Sequence, residues 1–190
     1  LQSDLFFQFA KENPNIQMLL VNDGSTDGTQ QSLEELCGRS NRIDVLRLSQ
    51  NAGKGEAIRQ GSWHVYENSS CEIIGFIDAD LAIPLEQLLS LRKVFNSKNF
   101  KVALTSRYLH PEEMIHNKES HLFRYFGSRL FRLYVRSFFN LNVSDSQCGC
   151  KLFHRDLVPV MFEKPFLSRW LFDVELLLRL KEANLLVVKE

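Results

Sequence analysis

The sequence lacks the features that mark several large classes of protein. Its 23 lysines and arginines balance its 23 aspartates and glutamates, so no overall field attracts nucleic acid and the informative charges must be local. There is no uninterrupted apolar run of about 18 residues, so we predict no transmembrane helix within the chain. The first residues also lack a signal-peptide pattern, and neither an internal repeat nor a low-complexity segment is present. We expect a globular domain that does not bind nucleic acid.

Cysteine is scarce as well. The four cysteines are scattered, and Cys148 and Cys150 are too close together for an easy disulfide. No second pair stands at zinc spacing. We therefore expect buried or structural thiols, which are typical of a reducing compartment.

The length of 190 residues suits one hydrophobic core and is short for two, so we predict a single domain over residues 1–190. Residues 1–11 have the pattern of an amphipathic helix, yet no strand precedes them. Residues 185–188 have the pattern of a strand that no element follows. We expect this domain to be truncated at both ends.

Strands and helices alternate along the first half of the chain. The predicted strands are 16–21, 43–48, 71–77 and 101–104, and the helices between them end near residues 37, 67 and 96. This alternation predicts an α/β fold with a mainly parallel sheet and helices on both faces. Ligands bind such sheets at the carboxyl ends of the strands, where the loops after Val21, Leu48 and Ile77 lie.

The third of these loops carries two carboxylates, Asp78 and Asp80, separated by Ala79. Side chains at i and i+2 share a face if the chain stays extended. Such oxygen ligands suit Mg²⁺ or Mn²⁺, which complete their shells with water and substrate phosphate. For the pair alone, a strand end followed by a helix cap is the favoured interpretation, because Asp is a common N-cap.

The other two loops also have ligand-binding character. Residues 23–29 offer Asp23, a second carboxylate, hydroxyls and two glycines, which could contact a base or ribose or could form a capped loop. In residues 51–55, Gly53 and Lys54 precede a predicted helix. A flexible turn, a point charge and a helix N-terminus together suit a phosphate group.

Residues 121–141 are cationic and aromatic and contain no acid. Arg124, Ser128, Arg132 and Arg136 recur at i, i+4 spacing and share one face of a helix. The pattern predicts a basic amphipathic helix. It either packs on the core with solvated arginines or binds a membrane surface or an anionic ligand.

Taken together, residues 21–29 (VNDGSTDGT), 51–55 (NAGKG) and 78–80 (DAD) resemble the motifs of family 2 glycosyltransferases, which have the GT-A fold. Three matches in the same order are much harder to obtain by chance than one. Residues 105–108, 145–153 and 169–175 resemble the polyprenyl-phosphate branch of that family, and most of all the dolichyl-phosphate glucosyltransferases. The resemblance covers nearly the whole chain.

The resemblance implies a site for a nucleotide-sugar donor. Asp23 would contact the base, and Asp78 would lie by the ribose and diphosphate. Asp80, with Asp78 beside it, would hold the Mg²⁺ or Mn²⁺ that binds the diphosphate. Arg169 and Asp173 would lie on a loop over the donor, although residues 170–178 could equally begin a buried helix.

The resemblance also implies a polyprenyl or dolichyl phosphate acceptor. Arg107, Arg124 and Ser128 would hold its phosphate, because a guanidinium matches phosphate oxygens. A lipid phosphate is already anionic, so Asp145 would orient the sugar or the acceptor instead of acting as a base. Direct displacement would invert the anomeric centre. The expected location is the cytoplasmic face of a membrane, with contact to its surface.

Two departures and two alternatives accompany this interpretation. The family's N-terminal strand, with its nucleotide contact, is absent, and Ala82 stands where mannosyltransferase relatives have a glutamine ligand to the metal. One alternative is transfer from GDP-mannose or to a saccharide hydroxyl, with Asp145 as the base. The other is a catalytically silent module that binds nucleotide or lipid.

Overall fold

Helices and strands alternate in the computed structural model, which describes residues 2–97, 100–106 and 121–185, with the backbone alone for 121–128. The elements in chain order are α1 (Ser3–Glu12), β1 (Met18–Asn22), α2 (Thr29–Gly38), β2 (Ile43–Arg47), α3 (Lys54–Asn68), β3 (Ile73–Ile77), α4 (Glu86–Ser97), β4 (Val102–Leu104), α5 (His121–Phe139), β5 (Cys150–His154), a 3₁₀ turn (Arg155–Leu157), α6 (Val158–Phe162) and α7 (Phe172–Glu182). The helices and strands predicted for the first half are all present. The strand predicted at 185–188 falls almost entirely outside the described residues.

The strands form two sheets. β1 and β2 pair in parallel, and β5 lies between β3 and β4 with antiparallel pairing to both. The predicted α/β class is confirmed. The structure adds an antiparallel strand that separates β3 from β4.

β5 is the strand that the sequence analysis did not predict. Its first four residues, Cys150 to Phe153, are all buried, so they do not show the alternation of a half-exposed strand. Lys151 also interrupts the apolar run. The strand is buried with this lysine because Asp173, which is distant in sequence, forms an ion pair with it.

Helices join the two sheets. α3 contacts both β1 and β3, and Val21 approaches so close that a Cβ at Gly61 would lie 2.8 Å from its side chain. A second cluster includes Phe6 and Phe9 of α1, with Met18 of β1 and Ile77 of β3 packed at its edge. The predicted covering of helices on both faces is therefore present, and it holds the two sheets together.

The main core lies between the three-stranded sheet and the last helices, and Phe153, Phe162 and Leu177 at its centre are fully buried. All four cysteines are free, and the expectation of buried thiols is confirmed for Cys148 and Cys150 but not for Cys37 and Cys71, which are half-buried. Cys150 begins β5, the central strand of this sheet. Burial raises the pKa of both the Cys148 and the Cys150 thiol. The pKa of Cys150 reaches about 12. These two thiols therefore stay protonated and unreactive at neutral pH.

Lys151 and Asp173 form a buried ion pair between β5 and the first turn of α7. The Nζ of Lys151 lies 2.5 Å from Asp173 Oδ1 and donates to the Cys148 carbonyl at 2.6 Å. The side chain of Lys151 is 0% exposed and that of Asp173 is 6% exposed. Burial raises the pKa of Asp173 above its ordinary value, and the Lys151 ammonium opposes that shift. A buried pair of this kind is stable only while both partners are present.

We expect Lys151→Met to lower the free energy of unfolding by about 3–5 kcal/mol, because it leaves the Asp173 carboxylate buried without a counter-ion. Urea unfolding followed by circular dichroism measures this loss. Lys151→Met combined with Asp173→Leu should recover most of it.

The control for this prediction is Arg39→Ala, which removes the exposed ion pair with Asp4. Its cost should be at most about 1 kcal/mol. If Lys151→Met cost no more than this control, the ion pair would not be holding β5 against α7.

Candidate active site

The first loop of the site begins at Asn22, the last residue of β1. Its side chain is 2% exposed; it donates to Gln30 Oε1 at 2.7 Å and accepts the Ser25 amide hydrogen at 2.9 Å. These bonds fix both ends of the loop after β1. Asn22 was not among the predicted site residues, because its role depends on the burial of its side chain, which local sequence does not reveal.

Asp23 joins the first loop to the second. Its two carboxylate oxygens accept the backbone amide hydrogens of Ala52 and Gly53, each at 2.8 Å. Two predicted site residues, Asp23 and Gly53, are thus brought together. A carboxylate retains further lone pairs after two such bonds, and the assignment of Asp23 to a nucleotide base stays a prediction.

Arg169 closes over the second loop. Its guanidinium donates to the carbonyl oxygens of Ala52 at 3.1 Å and Asn51 at 3.2 Å, and also to the Asn51 side chain. Gly53 has φ +92°, and a Cβ there would lie 2.8 Å from Arg169 Nε. The backbone conformation therefore requires glycine at this position, and a side chain there would also displace the Arg169 guanidinium.

Lys54 joins the second loop to the third. It is the first residue of α3, and its ammonium lies 2.6 and 2.7 Å from the two carboxylate oxygens of Asp78. The side chains of Lys54 and Asp78 are 44% and 30% exposed, so the pair is open to solvent and to a ligand. The loops after β1, β2 and β3 therefore form one connected group, as the sequence analysis predicted.

Gly149 lies against the other side of Asp78. Its carbonyl accepts the Asp78 amide hydrogen at 3.1 Å, and a Cβ at Gly149 would lie 2.2 Å from Asp78 Oδ2. A side chain at this position would displace the carboxylate. Gly149 was not among the predicted site residues, because the antiparallel strand that brings it to Asp78 was not predicted.

Asp80 is exposed, and its Oδ1 accepts the Ala82 amide hydrogen at 3.0 Å. The chain does not stay extended after Ile77, as the shared-face argument had assumed. It turns instead, with the Leu81 amide donating to the Asp78 carbonyl at 3.1 Å and Leu81 at φ +54°. Backbone strain of this kind persists only when packing enforces it, and Leu81 packs against the α1 cluster.

The alternative interpretation of Asp80 as a helix cap is wrong. The next helix, α4, begins at Glu86, and the residues directly after Asp80 are not helical. Asp80 therefore closes only a local turn. Its exposure leaves the carboxylate accessible to a ligand.

The donor set fits a divalent cation that arrives with its substrate. Within residues 2–97, 100–106 and 121–185, no group of three or more His, Cys, Asp or Glu is placed to hold a metal ion. The oxygens of Asp78 contact Lys54, whereas Asp80 is exposed. One or two carboxylates completed by water and phosphate oxygens suit Mg²⁺. The assignment of the ion to Asp80, with Asp78 beside it, stays a prediction.

The predicted acceptor residues are only partly described. Arg107 lies outside the described residues, and Arg124 and Ser128 lie on α5 in a part whose side chains are not described. Asp145 is 2% exposed. Burial is the largest cause of the raised pKa of Cys148, and the charge of Asp145 raises that pKa further. Asp145 therefore lies close to this thiol.

Asp173 is close to the site but buried in its ion pair with Lys151. Besides burial and Lys151, the charges of Lys54 and Asp78 influence its pKa, which shows how near it lies to both. The alternative of a buried helix is correct from Phe172 onward, where α7 begins. It is wrong for Trp170, which is 85% exposed.

An α/β fold whose loops meet at the carboxyl ends of the strands has its ligand site there. The family model for glycosyl transferase family 2 matches residues 5–162, and the chain belongs to this family. The matched region contains the Asp23, Lys54, Asp78 and Gly149 contacts.

The chain is similar to dolichyl-phosphate beta-glucosyltransferases. It is 30% identical to one of Trichomonas vaginalis over 182 residues, which is 88% of this chain and 50% of the relative. Identity to the human protein is 32% over 171 residues, 85% of this chain and 50% of the relative. Identity to the Saccharomyces cerevisiae protein is 32% over 181 residues, which is 85% of this chain and 52% of the relative. The chain thus spans about half the length of these relatives.

We expect Asp23→Ala to loosen the second loop, because the amides of Ala52 and Gly53 lose their acceptor. The loss of the acceptor of a partly buried amide costs about 1–3 kcal/mol. Exchange of these two amide hydrogens, measured by NMR, should therefore accelerate roughly tenfold or more.

Asp27→Ala is the matched control, because Asp27 accepts a backbone amide hydrogen within its own loop, from Thr29 at 2.9 Å. It should leave exchange at residues 52 and 53 unchanged. Equal exchange in both variants would show that Asp23 does not hold the second loop.

Proposed function

We propose that this chain transfers glucose from UDP-glucose to dolichyl phosphate or a related polyprenyl phosphate, with inversion, at the cytoplasmic face of a membrane. The observation that carries the proposal is the convergence of three loops, through Asp23 on the second loop and Lys54 on Asp78. The similarity to dolichyl-phosphate beta-glucosyltransferases supports the sugar and the acceptor.

The donor side follows from charge and geometry. The N-terminal amides of α3 carry the partial positive charge that favours phosphate at a helix N-terminus, and Lys54 would contact the diphosphate from its place beside Asp78. Asp80 would hold Mg²⁺ or Mn²⁺. When bound, such a cation neutralises charge on the departing diphosphate. Asp78, held by Lys54, would contact the ribose and diphosphate, and Asp23 the base.

The acceptor side requires alignment more than proton transfer. A lipid phosphate is anionic at neutral pH, so its oxygen attacks the anomeric carbon without a general base. Arg107, Arg124 and Ser128 would hold this phosphate. Asp145 would orient the sugar or the acceptor, and its burial suits a fixed positioning group.

The full-length protein should transfer radiolabelled glucose from UDP-glucose to dolichyl phosphate in the presence of Mg²⁺ or Mn²⁺. GDP-mannose and free saccharides, tested in parallel, should give little product. Preference for either would change the substrate assignment. Nucleotide binding without transfer from any donor would favour the silent binding module.

In the same assay, Asp80→Ala should reduce transfer by about 10²–10³-fold, because it removes a group that stabilises the leaving diphosphate. Asp44→Ala, which also removes an exposed carboxylate but lies on β2, should retain full activity. Unchanged transfer by Asp80→Ala would contradict the metal assignment.

Asp145→Asn tests the type of acceptor. Turnover with dolichyl phosphate should remain within about tenfold of the wild-type rate, because no general base is needed. A base serving a hydroxyl acceptor contributes about 10²–10⁴-fold. A loss of that size with donor binding intact, as measured by calorimetry, would favour a saccharide acceptor.

A further inference from the structure

Residues 163–171, which connect α6 to α7, contain no helix or strand and are called the connecting segment below. Phe166 and Ser168 are half-buried, and the other seven residues of the segment are exposed. Leu167 and Trp170 are 96% and 85% exposed. The hydrophobic core therefore holds little of this segment in place, and the position of the segment must depend on other contacts.

Arg169, within the connecting segment, completes the hydrogen bonding of the second loop, residues 51–55. The peptide unit between residues 51 and 52 gives its N–H to Asp23, while its C=O accepts from Arg169, and the next peptide unit does the same. Two consecutive peptide planes are thus held between a carboxylate and a guanidinium. All four bonds are charge-assisted, and neither plane can rotate without breaking them.

Arg179 of α7 binds the start of the connecting segment. Its guanidinium donates to the carbonyl oxygens of Met161 and Lys164, both at 2.8 Å, and of Pro165 at 2.9 Å. It also lies over the ring of Phe166, 4.6 Å from the ring centroid, where the attraction of a cation to an aromatic face adds to these bonds. The planar fork of an arginine binds several acceptors at once, which a lysine does not match.

Glu175, one turn earlier on α7, orients this guanidinium and binds the segment further along. Its Oε1 accepts from Arg179 at 2.7 Å, and its Oε2 accepts the backbone amide hydrogen of Leu167 at 2.9 Å. The side chains of Arg179 and Glu175 are only 16% and 19% exposed. Solvent and salt screen such a pair less than a surface pair, so the two residues form a defined anchor for the connecting segment.

The anchored segment also packs on the first turn of α3. The rings of Phe166 and Phe172 have centroids 5.7 Å apart, and a Cβ at Gly55 would lie 2.9 Å from the Phe172 side chain and 3.3 Å from that of Phe166. The Lys54 ammonium lies 5.6 Å from the centroid of the Phe172 ring. The connecting segment therefore meets the second loop at two places, through Arg169 on its carbonyls and through Phe166 at Gly55.

We propose that Glu175 and Arg179 are positioning residues for the donor site. They hold the connecting segment so that Arg169 fixes the second loop, and this loop sets the direction in which α3 and Lys54 begin. This role rests on the proposed function, because it takes the second loop as part of the site for the donor diphosphate. Both residues lie beyond residue 162, where the match to the family model ends.

The pair acts by restricting the conformations of the second loop before the donor binds. A loop that is already ordered loses less conformational entropy on binding. Because the diphosphate is held both before and during the reaction, a looser loop weakens the binding of the donor and of the transition state alike. Such a change raises the KM for the donor and leaves kcat nearly constant.

The first test is hydrogen exchange of the full-length protein without donor or acceptor, followed by mass spectrometry of peptides that cover residues 51–55. Arg179→Gln should accelerate exchange there roughly tenfold, which corresponds to the loss of about one hydrogen bond. Arg169→Gln, at an exposed position, should have the same effect without loss of stability. In the matched control Arg155→Gln, the lost guanidinium also binds three backbone carbonyls and lies over a tyrosine ring, but at the C-terminal end of α3. This control should leave exchange at residues 51–55 unchanged.

The second test is the transfer assay of the full-length protein. Arg179→Gln should raise the KM for UDP-glucose about tenfold and change kcat by less than about threefold. Arg169→Gln should raise KM to a similar extent, and the double variant should add little to either, because one residue acts through the other. Arg179→Lys should recover only part of the wild-type KM, since an ammonium keeps the charge and loses the fork. Arg155→Gln should leave both constants unchanged.

Three outcomes would overturn the proposal: equal exchange of Arg179→Gln and Arg155→Gln at residues 51–55, additive effects of the Arg169 and Arg179 variants on KM, or a loss in kcat with KM unchanged. Thermal unfolding of Arg179→Gln and Arg155→Gln should show losses of similar size, so that a difference at the second loop reports on position and not on stability. The exchange measurement involves no substrate. It therefore decides the positioning role separately, and the absence of transfer by the wild-type protein would contradict the proposed function alone.

Discussion

The arrangement of this site depends on the constraint around one carboxylate. Asp78 contacts Lys54 at the start of α3 on one side and Gly149 before β5 on the other. These contacts tie together three segments that are distant in sequence: the loop after β2, the end of β3 and the turn before β5. Because Lys54 also follows the loop held by Asp23, the position of Asp78 is linked to that of every loop at this edge. Gly149 has no side chain because the carboxylate occupies the space that a side chain would need.

This constraint also gives the two aspartates of the motif, Asp78 and Asp80, different environments. Asp78 contacts the Lys54 ammonium, whereas Asp80 accepts the amide hydrogen of Ala82 within its own turn. The Lys54 ammonium offsets part of the negative charge that the two aspartates bring to the end of β3. The unfavourable left-handed backbone at Leu81 is sustained by packing against α1, so the orientation of Asp80 depends on the hydrophobic core.

Local patterns predicted most helices and strands and the edge of the sheet at which the loops meet, because periodicity and turn residues are properties of short segments. Most of the contacts that were missed depend on partners distant in sequence. A lysine within an apolar run argues against a buried strand until Asp173 is known to face it. The turn at Leu81 was missed because a positive φ is uncommon for leucine and is held here by packing against the cluster that contains Phe6 and Phe9. The bonds from Asp23 to Ala52 and Gly53 join loops that only the fold brings together.

Helix α5 illustrates a further limit of sequence patterns. The alternatives for residues 121–141 were core packing or surface binding, and an arrangement of apolar residues on most sides of a helix is compatible with both. The structure combines core packing with an exposed face, because Val135 belongs to the main core while Leu130 and Phe138 face solvent. The same core contains Leu177 of α7, the helix whose first turn holds Asp173 near Lys54 and Asp78. Helix α5 therefore shares its core with a helix whose first turn lies at the site.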